Sequence, residues 1–194
     1  MSNNIYAAPL ANLDEQPRAA LDDRFYVVAT RKMLILFFLT MGMYQLYWYY
    51  KNWALYDRAT AARLWPIPRA VFALFSTHSL FRRIGEHDPS GKRGPWDSGS
   101  YAAAMVFLLV VGYVLAWAGR DSFFFDVINM FLLLLIGLLM KQVQLEVNAR
   151  CGDPAGAGNR EFTGANYAWC VFGGMLWLLV LAGWLLPLPA EGNL

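Results

Sequence analysis

The sequence predicts an all-α protein, a polytopic membrane helix bundle of four spans plus one short segment that either crosses or dips back. Two observations carry this. Hydrophobic residues make up 58% of the 194-residue chain and charged residues 15%, with a mean hydropathy of +0.34; soluble domains carry roughly 25% charged residues. Four stretches, residues 33–50, 101–118, 123–140 and 166–186, approach the ~20 apolar residues needed to cross a ~30 Å hydrocarbon core. By this reading residues 1–30 are a mobile N-terminal tail, 31–189 form the helical membrane domain and 190–194 are a short tail without a basic residue.

Composition also limits function. A formal charge of +2 offers no concentrated basic face for nucleic acid. Cys151 and Cys170 are too few for a disulfide framework or a metal centre and read as free structural thiols. Residues 1–23 are polar, and the first apolar run is too long and aromatic for a cleaved leader, so residues 33–50 act as an uncleaved anchor.

Within the tail, Phe25-Tyr26-Val27-Val28 is the exception: four bulky residues before Arg31-Lys32 are expected to lie extended against headgroups or the bundle. The first span, bracketed by Arg31-Lys32 and Lys51, ends in aromatics. Tyr44, Tyr47, Trp48 and Lys51 recur at i, i+3, i+4 and i+7 and share a helical face, so Lys51 can snorkel over the rings; these four are candidate lipid or partner contacts. Gly42 permits a bend or a close approach.

The segment Gly42-Met43-Tyr44-Gln45-Leu46-Tyr47-Trp48 matches Gly-x-Tyr-x-x-Tyr-Trp. With the preceding basic pair and apolar run it resembles a family of small bacterial membrane proteins known only as a domain of unknown function. The resemblance covers about the first half of the chain; it implies an integral membrane protein and assigns no activity.

Residues 52–64 suggest a helical continuation or a surface turn, stopped by Trp65-Pro66-Ile67-Pro68. Residues 69–83 hold only twelve residues between Arg69 and Arg82, about 18 Å of helix, so a re-entrant helix competes with a full crossing. His78 sits there on the face of Val71, Leu74, Phe75 and Phe81. Residues 85–100 form a Gly/Pro/Ser loop in which Glu86, His87 and Asp88 read as a solvated turn rather than metal ligands.

Residues 101–118 and 123–140 are spans joined so tightly by Gly119-Arg120-Asp121-Ser122 that they must be antiparallel neighbours. Gly112 and Ala116 mark a close-packing face. Asp126 and Asn129 lie a turn apart near the start of the second, with Arg120 a partner for Asp126. Residues 141–150 keep helical spacing with Gln142/Glu146 and Glu146/Arg150 pairs, so this helix continues beyond the membrane and stops at Cys151-Gly152-Asp153-Pro154. Residues 155–159 read as a flexible loop, and the last span, 166–186, has Trp169 and Trp184 near its ends.

With five crossings and a cytoplasmic N-terminus, eleven of sixteen basic residues lie inside, leaving Lys51, Arg58, Arg63, Arg69 and Arg120 outside or at the outer boundary; four crossings give the same tally. Five is preferred, because a charged tail without a leader is hard to translocate. No catalytic, cofactor or metal motif stands out. The sequence thus points to a non-enzymatic component of a bacterial inner membrane, an accessory or scaffolding protein binding lipids, other membrane proteins or copies of itself. The alternative is a small-solute, ion or proton transporter or channel, with His78, Asp126, Asn129 and Gln45 lining a polar path.

Overall fold

The computed structural model describes residues 22–118 and 123–185. These form seven α-helices and one short 3-10 turn, with no strand among the described residues: α1 (Thr30–Leu39), α2 (Tyr44–Thr60), α3 (Pro66–Val71), α4 (Ala73–Glu86), α5 (Ser98–Ala118), α6 (Phe123–Arg150), the turn Ala157–Asn159, and α7 (Gly164–Leu185). Residues 1–21, the 119–122 connection with Arg120, and the 190–194 tail lie outside the described residues, and so do the expectations attached to them.

Among the described residues, three helices are long and apolar enough to cross a membrane: α5, α6 and α7. At 1.5 Å per residue they measure about 31, 42 and 33 Å. As the i,i+4 charge spacing predicts, α6 continues ten residues past its apolar part to Arg150, where Gly152 at φ +85° ends it. Most of the apolar surface of the three helices is uncovered by protein, including Phe107, Trp117, Phe131, Leu178 and Leu179.

The predicted first span, residues 33–50, is not one helix. The chain breaks at Thr40–Met43, with left-handed backbone at Met41 (φ +51°) and Gly42 (φ +86°), and reverses. Thr40 terminates α1 by donating its hydroxyl to the Leu36 carbonyl (2.8 Å) and starts α2 by accepting the Tyr44 N–H (2.9 Å). The two arms run side by side in opposite senses. Asn148 of α6 bonds Val28 just before α1 and Phe38 at the end of α1 abuts Gly137, so α1 descends along α6; at the turn Gly42 meets Leu133 and in α2 Trp48 meets Gln144, so α2 climbs back. At 10 residues α1 is about 15 Å long, half a bilayer core. Hydropathy could not reveal the reversal, because it averages over a turn made by two positive φ angles. Gly42 was the visible sign.

The ambiguous stretch 69–83 is likewise divided. α3 runs inward from Pro66 and turns at Phe72; α4 returns outward, packed antiparallel to α5, with Gly85 beside Ser98 and Trp96. Ser76 Oγ, donating to the Arg69 carbonyl at 2.7 Å, ties the two together. Neither piece is a crossing length. Arg69 and Arg83 do not snorkel away but lie over the buried Trp53 ring, at 4.6 and 5.9 Å from its centroid.

Two glycines seat α1. A methyl group at Gly137 of α6 would fall 2.5 Å from the Phe38 ring, and one at Gly173 of α7 would collide with the Leu39 carbonyl. α1 is therefore wedged between the two helices by close approach. The expected small-residue face on α5 has a different role: Gly112 and Ala116 line a cavity of about 270 Å³ between α5 and α6.

Candidate functional site

The most elaborate arrangement lies where the tail of α6 meets residues 25–28. The expected extended segment is present and fully built into the core: Phe25 and Val28 are buried. It is therefore packed among the helices, although it falls within the residues 1–30 expected as a mobile tail. Extended backbone away from a sheet must find partners for its N–H and C=O groups. Here four side-chain amides supply them. Asn52 Oδ1 accepts the Tyr26 N–H (3.1 Å) and Gln144 Nε2 donates to the Tyr26 carbonyl (2.9 Å). Asn148 takes both groups of Val28, at 3.2 and 2.9 Å, and Asn159 Nδ2 donates to the Val27 carbonyl (2.9 Å). Trp48 Nε1 donates to Gln144 Oε1 at 2.5 Å, closing the network.

Beside it is a charged cluster. Arg150, buried at 3% exposure, donates to the carbonyls of Gly85, His87 and Gly94 and bonds Glu146 Oε1 at 2.7 Å, so the 85–97 loop is wrapped around one guanidinium. His87 is buried against this, contrary to the solvated turn expected of it, while Glu86 is exposed as expected and Asp88 organises an exposed turn with Ser90 and Arg93. Its Nε2 lies 2.9 Å from Asp22 Oδ2, without the alignment of a hydrogen bond, and its Nδ1 lies 3.2 Å from an Arg24 nitrogen. Burial pushes the His87 pKa down; Asp22 opposes this and the guanidinium of Arg24 adds to it. Burial likewise pushes the neighbouring Cys151 thiol up to about 12, which makes it inert at neutral pH.

Residues 155–159, expected as a flexible loop, are tied down on both sides. The Asp153 carboxylate accepts from the N–H groups of Ala157 and Gly158, Gly156 at φ +64° lies directly on the Val28–Ala29 backbone, and Lys32 Nζ bonds Asn159 Oδ1 (2.8 Å) and the Glu161 carbonyl (2.7 Å).

The four residues expected to line a polar path are dispersed. His78 is exposed on α4. Gln45 is buried at the α1–α2 turn with Nε2 3.7 Å from Met105 Sδ. Asn129 lines the α5–α6 cavity, while Asp126 accepts the Trp184 indole N–H at 3.0 Å between α6 and α7. No hydrogen bond joins any two of the four among the described residues. The candidate contact face also needs correction. Tyr44 and Trp48 are wholly buried, Tyr44 against the Tyr26 hydroxyl (3.1 Å), because residues 25–28 and the α6 extension cover what a lone helix would show to lipid. Tyr47 and Lys51 remain half-buried, and the expected cation–π contact is present at 5.9 Å.

Sequence reasoning missed Gln144 and Asn148 altogether, and it missed the burial of Arg150 and His87, although the Glu146/Arg150 pair it expected is formed. A signal existed: Gln144 and Asn148 are an i,i+4 pair flanked by Val143 and Val147, which marks a polar stripe inside an apolar setting rather than a solvated face. Compared with known proteins, the chain matches no family model, no curated protein and no solved structure.

Proposed function

We propose that this chain is a non-enzymatic scaffolding component of a bacterial inner membrane, with its basic end in the cytoplasm and the bare faces of α5, α6 and α7 available to lipids and membrane-protein partners. One observation carries the reading: the buried amides Gln144 and Asn148 and the guanidinium of Arg150 at one end bond the protein's own backbone, while the three long helices keep most of their apolar surface uncovered. Lipid alone would satisfy such surfaces, and they are equally suited to packing against another protein.

The orientation rests on charge. Of the sixteen Lys and Arg, all but Arg18 and Arg120 are described, and they cluster at the end where residues 22–31, 57–65, 85–97 and 150–163 gather. Lys51, Arg58, Arg63 and Arg69, counted outside when residues 33–50 are taken as a crossing, join the others once that segment turns back. The imbalance becomes far stronger, and the positive-inside tendency turns this end to the cytoplasm. α1–α2 is then a re-entrant hairpin. Its irregular tip is tolerable at membrane depth because Thr40 pairs the freed backbone groups and protein surrounds them.

Photo-crosslinking in native membranes tests the reading. A crosslinker at Leu178, on the exposed face of α7, should give one discrete protein adduct, and one at the buried Ala102 should give none. Lipid adducts alone at Leu178 and at equivalent exposed sites of α5 and α6 would refute protein scaffolding. Proton or cation flux in sealed vesicles that exceeds empty vesicles and disappears in Asp126→Asn would favour the transporter alternative.

A further inference from the structure

The scaffolding reading leaves open which lipid the protein selects, and one groove narrows it. Between α1, α6 and α7 lies a cavity of about 670 Å³, within the usual range of small-molecule sites. Its lining is graded along α1. Along α1 the lining runs from Thr30 and Arg31 of the first turn to Leu34, Ile35 and Phe38, some 6–12 Å farther along the axis, with Lys141 of α6 bordering the upper part, about level with Leu34, and Trp177 of α7 also in the wall.

The groove is cationic on two grounds. Arg31 and Lys141 both border it, neither is in a salt bridge among the described residues, and no acidic residue lines the cavity. α1 begins at Ala29 without a side-chain cap and without an acidic residue in its first turn, so its first N–H groups add positive potential there. Lys141 stands where the apolar part of α6 gives way to its polar extension, the level of lipid headgroups in the orientation proposed above. The remaining basic residue of this turn, Lys32, faces away and is committed to Asn159 and Glu161.

We propose that this groove binds one anionic phospholipid, its phosphate held between Arg31, Lys141 and the start of α1, and an acyl chain laid along Leu34, Ile35 and Phe38 against Trp177. A cation pair at headgroup level selects for net negative charge, and the apolar channel below it selects a lipid over a free anion. The occupied groove would fill the gap between α1 and α7, so the lipid would act as a wedge completing the α7 packing. This deepens the scaffolding reading and is separable from it, because protein adducts at Leu178 do not depend on lipid charge.

Native mass spectrometry of the full chain from mild detergent, with added phosphatidylglycerol or phosphatidylcholine, is the test. One phosphatidylglycerol should be retained at least about tenfold more strongly than phosphatidylcholine, the order expected for two basic side chains near an anionic headgroup. Arg31→Gln and Lys141→Gln should each reduce the preference several-fold, and the loop control Lys92→Gln should leave it intact. Ile35→Trp, which fills the channel and keeps both cations, should abolish retention; glycerol phosphate should not compete. Equal retention of the two lipids, an unchanged preference in both Gln variants, or full competition by glycerol phosphate would overturn the proposal.

Discussion

Trp177 of α7 donates its indole N–H to the main-chain carbonyl of Phe38 at 3.1 Å, and the same oxygen accepts the Met41 N–H of the turn at 3.2 Å, so one carbonyl at the end of α1 serves both the reversal and α7. A carbonyl oxygen has two lone pairs, and those at a helix end must be filled from outside the helix. The bond joins α7 to the rest of the protein through α1, and Gly173, one turn away on α7, allows the approach.

Gly173→Ala should therefore pry α7 from α1, because the obstructing atoms are backbone and cannot rotate aside. Overpacking of this kind costs about 1–3 kcal/mol. Gly174→Ala is the matched control, since its added methyl meets nothing. Thermal denaturation in detergent should show a lower Tm for the first and an unchanged or slightly raised Tm for the second. Equal effects would mean that α7 is not seated as described.

Asn148→Ala should be among the most destabilising substitutions outside the apolar core. It strips the N–H and C=O of Val28 and one Gln144 donor of their partners. At roughly 1–3 kcal/mol per buried orphan, a loss of about 3 kcal/mol is expected. Gln142→Ala, on the exposed side of the same helix, should cost less than about 0.5 kcal/mol. Denaturant titration of both variants checks the contrast.

The buried His87 makes stability fall with acid. Its folded pKa lies below the ordinary value of 6.5, so below about pH 6.5 the unfolded chain takes up protons more readily than the folded one. The neutral-imidazole contribution is complete above that pH and is lost as the pH falls through the lower folded value. His87→Gln, which cannot titrate, should flatten the Tm profile between pH 7.5 and 5 while lowering its neutral plateau. A profile as steep as the native one would assign the acid sensitivity elsewhere.

The long helices were legible because length, apolarity and the i,i+4 pairs on α6 are local properties. So was the extended Phe25–Val28, from its unbroken bulk ahead of a basic pair. What escaped was everything set by the chain meeting itself. Tyr44 and Trp48 have the composition of an interfacial belt, and only residues 25–28, folding back over them, turn them into core. His87 reads as loop until Arg150, sixty-three residues away, gathers the carbonyls around it. Asp126, His78, Asn129 and Gln45 were singled out as ionisable or polar groups in apolar helices, but sequence periodicity cannot say whether four such residues on different helices converge.

The reversal at Thr40–Met43 is the centre of this account, because it carries the topology, the charge asymmetry and the groove beside α1. Cysteine labelling with a membrane-impermeant reagent reads it directly, using a background in which Cys151 and Cys170 are replaced and single cysteines are placed at Asp23, Arg58, Arg93 and Asp121. A re-entrant hairpin predicts that Asp23, Arg58 and Arg93 label together from the cytoplasmic side and Asp121 from the opposite side. Labelling of Arg58 with Asp121, opposite to Asp23, would make residues 33–50 a true crossing and contradict the account.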